Sequence, residues 1–315
     1  MPAVSDERQL GCALRYAFRW DDVAAIAREA EASRYRALFL PETGGRDILV
    51  TLGTLAGETR GLLLGTGILP MGARTGPLTA MGAATVQERS GGRLVLGLGT
   101  GPPVPGALDR LRELVATVRR LLDGDSVEDA RLSLPTSLLS SPPPIWISAL
   151  GPKAVRTAGA IADGVLLNWC TPERVVRARA ELAMGAQGAG RDPAAVTVAV
   201  YVRACMDADP PSAARVLRSA AAEYASFPAY ARQFRSMGLG LEAGAAGVAH
   251  AAGRPQDVPD ALVRAVCLSG DTDAARTRLQ DYREAGADLP IVYPVATDAD
   301  PVGSVIRTLR DLSPR

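Results

Sequence analysis

Residues 10–20 read Leu-Gly-Cys-Ala-Leu-Arg-Tyr-Ala-Phe-Arg-Trp, and this stretch decides between two α/β folds. Its apolar part, Leu10–Phe18, is typical of a strand that is covered on both faces, as in a parallel sheet. A doubly wound open sheet would favour a Gly-x-Gly-x-x-Gly turn directly after this first strand. Arg19 and Trp20 follow instead, with no glycine. The stretch therefore favours a closed barrel.

Seven more apolar runs follow and alternate with amphipathic stretches of helical periodicity. The runs cover residues 37–41, 62–69, 94–99, 145–150, 164–169, 196–205 and 289–295. The clearest helical stretches cover 21–33, 109–122, 153–161, 172–187 and 273–285. Eight strands with intervening helices predict a (β/α)8 TIM barrel.

The chain length agrees with this fold, because barrels of this kind commonly reach 315 residues as one domain. We therefore expect a single domain over residues 1–315. A long segment, 207–264, follows the seventh run and is rich in proline and glycine. We expect it to be an insertion that mixes helices with loops and serves as a lid or a substrate-defining loop.

Composition and charge argue against several classes of function. The net charge of +1 gives no footprint for nucleic acid or a membrane surface. Cys12, Cys170, Cys205 and Cys267 lie far apart, and His250 is the only histidine. This predicts no metal site, no disulfide framework and no Ser-His-Asp triad. We see no signal peptide or membrane span and expect a cytoplasmic protein.

In a TIM barrel the chemistry lies where the strands end. The second strand ends at Glu42, an acid at the mouth, whereas Asp47 precedes a helical stretch and is interpreted as its N-cap. The third and fourth strands end in Gly65–Pro70 and Gly97–Pro102, where glycine permits the close approach of a ring or a backbone. Asn168 ends the sixth strand and can both donate and accept hydrogen bonds.

The fifth strand runs directly into a helix through Gly151, Pro152 and Lys153. Proline suits the first helical turn, and the free N–H groups at a helix start bind anions. Lys153, the only lysine of the chain, adds positive charge there. We interpret this segment as a phosphate site.

Two glycine-containing segments, 90–93 and 162–164, lie at the opposite face, because each precedes a strand. The strand starts of a barrel serve stability. We therefore interpret both segments as structural, with glycines that cap helices and a charge that fixes the turn.

Read in order, these segments resemble the luciferase-like superfamily of flavin and deazaflavin oxidoreductases, which are TIM barrels of the bacterial-luciferase-like type. Residues 45–47 (Gly-Arg-Asp) and 65–68 (Gly-Thr-Gly-Ile) look most like the branch that uses coenzyme F420, an 8-hydroxy-5-deazaflavin hydride carrier. The resemblance covers nearly the whole chain except the insertion. The matching segments are 41–47, 64–68, 90–93, 96–101, 147–151, 158–159, 162–164 and 282–288.

The resemblance implies a cofactor site at the mouth. A non-prolyl cis peptide would join Gly67 to Ile68 behind the deazaflavin ring, and the cofactor phosphate would lie at the segment that ends in Lys153. The cofactor-binding residues expected on this basis are Gly67, Ile68, Thr100, Gly101, Ala149, Leu150, Gly151, Lys153 and Asn168.

The sequence departs from one branch of this family. Its sugar-phosphate dehydrogenases use a histidine after the second strand and a glutamate after the fourth, where this chain has Glu42 and Pro102. Alcohol oxidation needs a base for the hydroxyl proton, so the departure disfavours that reaction. We expect a reductase that transfers hydride from reduced F420 to an electron-poor C=C or C=N bond of a small organic substrate.

The residues that would assist this chemistry have alternative roles. Glu42 would donate a proton, contact the polar edge of the cofactor or have a purely structural role. His250 would act as acid or base if the insertion covers the mouth, and would otherwise pack or lie exposed. Arg203 would meet an anionic substrate or lie in solvent, and Trp169 would pack or stack.

Two other functions stay open at this point. An FMN-dependent luciferase-like monooxygenase would use the same fold with a flavin. A barrel that has lost its chemistry would only bind a ligand or a partner. Family members are often dimers, so a homodimer is compatible with the resemblance.

Overall fold

The computed structural model describes residues 9–15, 18–43, 45–102, 104–126, 134, 139, 141–207 and 209–314. Strands and helices alternate along these residues. The strands are β1 (Gly11–Ala13), β2 (Ala37–Leu40), β3 (Leu63–Thr66), β4 (Leu69–Pro70), β5 (Leu94–Gly99), β6 (Ile145–Ser148), β7 (Gly164–Asn168), β8 (Thr197–Cys205), β9 (Cys267–Ser269) and β10 (Leu289–Pro294).

The α-helices pack around the strands and build the segment between β8 and β9. They are α1 (Trp20–Ala32), α2 (Ile48–Glu58), α3 (Gly76–Arg89), α4 (Ala107–Leu122), α5 (Pro152–Ile161), α6 (Pro172–Gly188), α7 (Pro210–Ser226), α8 (Pro228–Ser236), α9 (Gly240–Ala251), α10 (Asp260–Val266), α11 (Thr272–Glu284) and α12 (Pro301–Asp311). None of the helices described combines the length and the apolar character that crossing a bilayer requires.

The sheet closes on itself. Its hydrogen-bonded order is β10-β1-β2-β3-β5-β6-β7-β8, and β10 pairs with β8 as well as with β1. Each of these pairings is parallel, which confirms the predicted (β/α)8 barrel. β4 follows β3 in the chain and pairs with β5, and β9 pairs with the end of β8.

Side chains alternate across the barrel wall, because successive residues of a strand point to opposite faces. On β8, Val198, Val200 and Val202 pack outward with the helices, whereas Ala199 and Tyr201 belong to the core inside the barrel. The interior is therefore filled with side chains and does not form a pore, and any ligand must bind where the strands end.

The segment predicted as an insertion, 207–264, is mainly helical. Helices α7, α8 and α9 pack on one another, and together with Trp169 and Cys267 they bury a second apolar cluster beside the barrel. Proline occupies the first turn of α7 and of α8, where its missing N–H costs no hydrogen bond. The expectation of helices is confirmed for this segment.

The two segments interpreted as structural serve that purpose. Arg93 donates to the carbonyl oxygens of Ala56, Thr59 and Leu62, at distances of 2.8–3.0 Å, and so ties the start of β5 to the end of α2. Asp163 accepts from the amide of Ile145 at 2.8 Å and fixes the start of β6. The interpretation is confirmed for 90–93, where Gly91 follows the C-cap of α3 with a left-handed φ of 66°. For 162–164 the charge fixes the turn as expected, but the predicted glycine cap is wrong, because Gly164 is the first residue of β7.

Candidate functional site

The end of β3 lies at the mouth of the barrel and carries the peptide between Gly67 and Ile68. This peptide is cis, as the family resemblance implied. The Tyr201 hydroxyl donates to the carbonyl oxygen of Gly67 at 3.3 Å, and the Gly67 amide donates to the carbonyl oxygen of Leu40 at 2.7 Å. A Cβ at position 67 would overlap the Tyr201 hydroxyl, so the position requires glycine.

Ile68 covers the glycines at the end of β5. A Cβ at Gly97 would lie 3.3 Å from Cγ2 of Ile68, and one at Gly99 would lie 2.7 Å from its Cδ1. The absence of side chains at these two glycines thus makes room for Ile68, which remains half-buried at the mouth. Next to it, Gly101 adopts a left-handed φ of 67°, and the Thr100 hydroxyl donates to the Gly101 carbonyl at 3.2 Å.

The predicted phosphate site begins at β6. Ala149 is buried and Leu150 half-buried, and exposed Gly151 is the N-cap of α5 without a side-chain hydrogen bond to the helix. A Cβ at Gly151 would meet no atom within 4 Å. Lys153 is exposed in the first turn. The first amides of α5 and the Lys153 ammonium therefore offer an open place for an anion.

Arg174 of α6 stabilises the loop between β6 and α5. Its Nη2 donates to the Leu150 carbonyl at 2.9 Å and pairs with Glu181 at 2.9 Å, while the side chain is buried. The residue lies more than twenty positions from the loop in sequence, so no local motif pointed to it.

Asn168 links the barrel to the insertion. Its Oδ1 accepts from Nη1 of Arg203 at 2.6 Å, and its Nδ2 donates to the Tyr230 hydroxyl at 2.8 Å. Gln233 Nε2 donates to the carbonyl oxygens of Asn168 and Trp169 at 2.6 and 2.7 Å. Helix α8, which carries Tyr230 and Gln233, is thus fastened to the end of β7.

Arg203 lies in an aromatic cage formed by Tyr293, Trp169, Tyr224 and Tyr201. The distances from its guanidinium carbon to the ring centroids are 4.1, 4.8, 5.3 and 5.7 Å, respectively. Only 5% of its surface is exposed, so the expectation of a solvated arginine is wrong. The reason is that three separate segments bring their rings to one place. Trp169, which has a left-handed φ of 52°, packs in this cluster and is 1% exposed.

Tyr201 and Tyr230 are held in their neutral form. Burial raises the pKa of Tyr201 and that of Tyr230 above the ordinary value, so both hydroxyls stay protonated near neutral pH. Tyr201 can therefore donate to Gly67 throughout the neutral range.

Glu42 forms an ion pair with Arg74. Its two oxygens accept from Nε and Nη2 of Arg74 at 3.1 and 3.2 Å, and Oε2 also accepts from the Ile48 amide at 3.2 Å. Arg74 pairs with Asp47 as well. Asp47 accepts from the Val50 amide at 3.0 Å, which confirms its predicted N-cap role.

The charge on Asp47 is stabilised by these contacts. Burial raises the pKa of Asp47, but hydrogen bonds from Arg74 and the Val50 amide outweigh it and hold that pKa below its ordinary value. This triad fixes the loop between β2 and α2 at the rim of the mouth.

His250 lies on α9, which packs against α7 and α8, and its side chain is exposed. Of the alternative roles considered for His250, that of an exposed surface residue agrees with this position.

Several residues of the mouth were not singled out from the sequence, namely Tyr201, Tyr224, Tyr230, Gln233 and Tyr293. One signal was available: Tyr201 and Arg203 are two positions apart on one strand and must share a face. The insertion residues Tyr224, Tyr230 and Gln233 lack such a signal, since their helices could have packed elsewhere.

Comparisons with known proteins agree with this geometry. The family described as luciferase-like monooxygenase matches residues 4–289. The chain is 32% identical over 204 residues to 5,10-methylenetetrahydromethanopterin reductase of Methanolobus tindarius. The aligned region covers 59% of this chain and 62% of that protein. It is 30% identical over 207 residues to F420-dependent hydroxymycolic acid dehydrogenase of Mycobacterium tuberculosis, 56% of each protein. The matches thus span less than two thirds of these relatives.

The solved structure of coenzyme F420-dependent tetrahydromethanopterin reductase from Methanopyrus kandleri has the same fold. It superposes with a TM-score of 0.79 at 22% identity, covering 98% of both chains. A type II Baeyer-Villiger monooxygenase of Pseudomonas putida in complex with FMN superposes with a TM-score of 0.69 at 16% identity, covering 97% of both chains. Because the family match extends over most of the sequence, this chain belongs to the luciferase-like monooxygenase family.

Proposed function

We propose that the protein is a coenzyme F420-dependent oxidoreductase that reduces an electron-poor C=C or C=N bond of a small organic substrate. The observation that carries the proposal is the open anion site at Gly151 and Lys153, which shares the barrel mouth with the half-buried Ile68 surface. Relatives that are named F420-dependent support the choice of cofactor.

The residues present fit a ligand with a flat ring and a phosphate. Gly151 leaves open space where any other residue would place a Cβ, and no side chain caps the helix behind it. A phosphate there would meet backbone amides, the positive end of α5 and one ammonium group. Gly67 and Ile68 would support the ring, and Thr100 and Gly101 would contact it from the loop that follows β5.

When bound, the deazaflavin would supply the hydride, and the protein would supply position and a pocket that excludes water. We assign to Asn168 the task of placing Arg203 and Tyr230, because its side chain already contacts both. Glu42 would fix the β2–α2 loop, since both of its oxygens are taken by Arg74. The insertion would cover the mouth through α8.

Cofactor titration tests the proposal. Purified protein is titrated with F420 and, separately, with FMN, and fluorescence is followed. We expect F420 to bind and FMN to bind at least about tenfold more weakly. Oxidation of reduced F420 by cyclohexenone, an activated alkene, would then be followed by absorbance.

A matched pair of variants locates the site. Lys153→Gln should weaken F420 binding by roughly 3- to 30-fold, because one charge-assisted contact is lost. Arg156→Gln removes an exposed charge one turn further along α5 and should leave binding unchanged. Tight FMN binding without F420 binding would replace the proposal by a flavin monooxygenase, and binding of neither would favour a barrel without redox chemistry.

A further inference from the structure

We propose that Arg203 binds a carboxylate group of the second substrate, so that this substrate is an organic acid with an apolar body. The inference names a substrate class and therefore rests on the proposed function. It is carried by the burial, the charge and the open hydrogen-bond donors of Arg203.

Arg203 points into the mouth of the barrel. It lies two residues after Tyr201 on β8, so it shares the interior face one layer nearer the strand ends. Tyr293 of β10 is its partner in register. The Arg203 guanidinium carbon is 5.7 Å from the ring centroid of Tyr201, which contacts the carbonyl of Gly67, so Tyr201 connects Arg203 to the peptide that would support the cofactor ring.

The positive charge of Arg203 has no acidic partner within the described part of the chain. Among the residues that the structure describes, no carboxylate forms an ion pair with it, although the residue is 5% exposed. Four aromatic rings stabilise the cation in part, through their negative faces. Buried charges in proteins are usually paired with an opposite charge. The guanidinium of Arg203 therefore lacks the one negative charge that would neutralise it.

Arg203 also has donors to spare. A guanidinium carries five N–H groups, and the described chain uses only Nη1, which donates to Asn168. Nε and Nη2 make no hydrogen bond to described residues, yet neither is among the nitrogen atoms that are sealed from solvent. This edge of the fork is free to bind an oxygen pair that enters from the mouth.

The chemistry of the site selects a carboxylate. The planar fork of arginine matches the two oxygens of a carboxylate, and a single positive charge balances a single negative one. A phosphate dianion would leave one charge unbalanced among apolar walls. The rings of Trp169, Tyr224 and Tyr293 favour an aromatic or alkyl group attached to that carboxylate.

Binding of benzoate, with benzamide as its neutral analogue, tests the inference without cofactor. Trp169 lies 4.8 Å from the guanidinium and reports binding through tryptophan fluorescence. We expect benzoate to change the fluorescence at concentrations up to about 10 mM and benzamide to bind at least about tenfold more weakly. Equal binding of the two compounds, or no response to benzoate, would overturn the inference.

Variants then assign the effect to one residue. Arg203→Gln should weaken benzoate binding by about tenfold or more, whereas Arg203→Lys should lose less, because the charge remains. Arg278→Gln is the control. Arg278 also lies over a ring, 5.8 Å from the centroid of Tyr282, but it pairs with Asp281 outside the mouth. Thermal unfolding of each variant shows whether it is folded; unchanged benzoate binding in folded Arg203→Gln contradicts the inference.

The same proteins are titrated with F420. If F420 does not bind while benzoate binding depends on Arg203, the cofactor assignment is wrong and the carboxylate site stands. If F420 binds but benzoate and benzamide behave alike, the carboxylate site is wrong and the proposed function stands.

Discussion

The Tyr201 hydroxyl donates a hydrogen bond to the carbonyl oxygen of Gly67 across 3.3 Å, and this contact joins the interior of β8 to the end of β3. Gly67→Ala would place a methyl group on that hydroxyl. We expect the free energy of unfolding to fall by about 1–3 kcal/mol, because overpacking forces side chains to move. F420 binding should weaken in parallel, as titration and thermal unfolding would measure.

Gly72→Ala is the control for this variant. Gly72 is exposed and lies close to Gly67 in sequence, and an added Cβ there meets no atom within 4 Å. It should bind and unfold like the parent. Parent-like binding and stability in Gly67→Ala would show that the Tyr201 contact does not constrain the mouth.

The single lysine permits a chemical test of the phosphate site. Lys153 is the only side-chain amine in the chain, so acylation with an amine reagent modifies it and the α-amino group alone. Bound F420 should protect Lys153, because a phosphate contact engages its ammonium. Mass spectrometry of a peptide that contains residue 153 gives the modified fraction. Equal modification with and without saturating F420 would place the phosphate elsewhere.

The role of Glu42 can be read from a substitution that keeps its shape. Glu42→Gln should lower the free energy of unfolding by about 1–3 kcal/mol, because Arg74 loses one of its two charged partners in a largely buried place. Turnover should fall by less than the roughly 10²- to 10⁴-fold that loss of a general acid costs.

Arg74→Gln completes the comparison. The two losses should not add fully in the double variant, since both remove the ion pair between Glu42 and Arg74. A fall in turnover of about 10²-fold or more in Glu42→Gln, but not in Arg74→Gln, would make Glu42 the proton donor.

The attachment of α8 depends on Gln233. Its Nε2 donates to the carbonyl oxygens of Asn168 and Trp169, and the side chain is buried. Gln233→Ala should cost about 1–3 kcal/mol, because two carbonyl groups lose their donor. Hydrogen exchange should accelerate in α8 but not in β7. The control is Gln280→Ala, which removes an exposed amide on α11. Unchanged exchange in α8 would mean that the helix is held by other contacts.

Acid sensitivity is predicted at Glu31. Its Oε1 accepts from the amides of Arg60, Gly61 and Leu62 at 2.8, 2.7 and 3.1 Å. Burial raises the pKa of Glu31, but these hydrogen bonds outweigh it, and the pKa of the folded protein lies below the ordinary value. The ionised group therefore stabilises the fold above about pH 4.3, and this contribution is lost as the pH falls through the lowered pKa.

Glu31→Gln measures that contribution. The difference in unfolding free energy from the parent should be about 1–2 kcal/mol near pH 7 and should shrink below about pH 4. Glu113→Gln, at an exposed position of α4, serves as the control. A difference for Glu31→Gln that does not depend on pH would contradict the prediction.

The sequence predicts the barrel well because buried parallel strands are apolar on both faces. β5 begins and ends as predicted, and β8 differs by one residue. The first run was predicted too long: Leu10–Phe18 contains only Gly11–Ala13 as a strand, and residues 16 and 17 lie outside the described part. β9 was not predicted, because three residues at the end of a helix carry no periodic signal.

At the site, the predictable features are those made by backbone and glycine. The cis peptide at Gly67 and the uncapped start of α5 at Gly151 follow from local sequence and family resemblance. The burial of Arg203 does not, because its rings come from the residue after β7, from α7 and from β10. Only the folded insertion brings Tyr224 to that place.

The closure of the barrel has a consequence for biosynthesis. Gly11 pairs with Ile291, so the ribosome makes β10 after every other strand of the ring. Until then β1 and β8 present unpaired edges, which are templates for pairing with another chain. Ring closure joins positions about 280 residues apart, and such non-local pairing slows folding. Closure of the sheet therefore waits for β10, and a substitution that weakens β10 would expose the edges of β1 and β8 together.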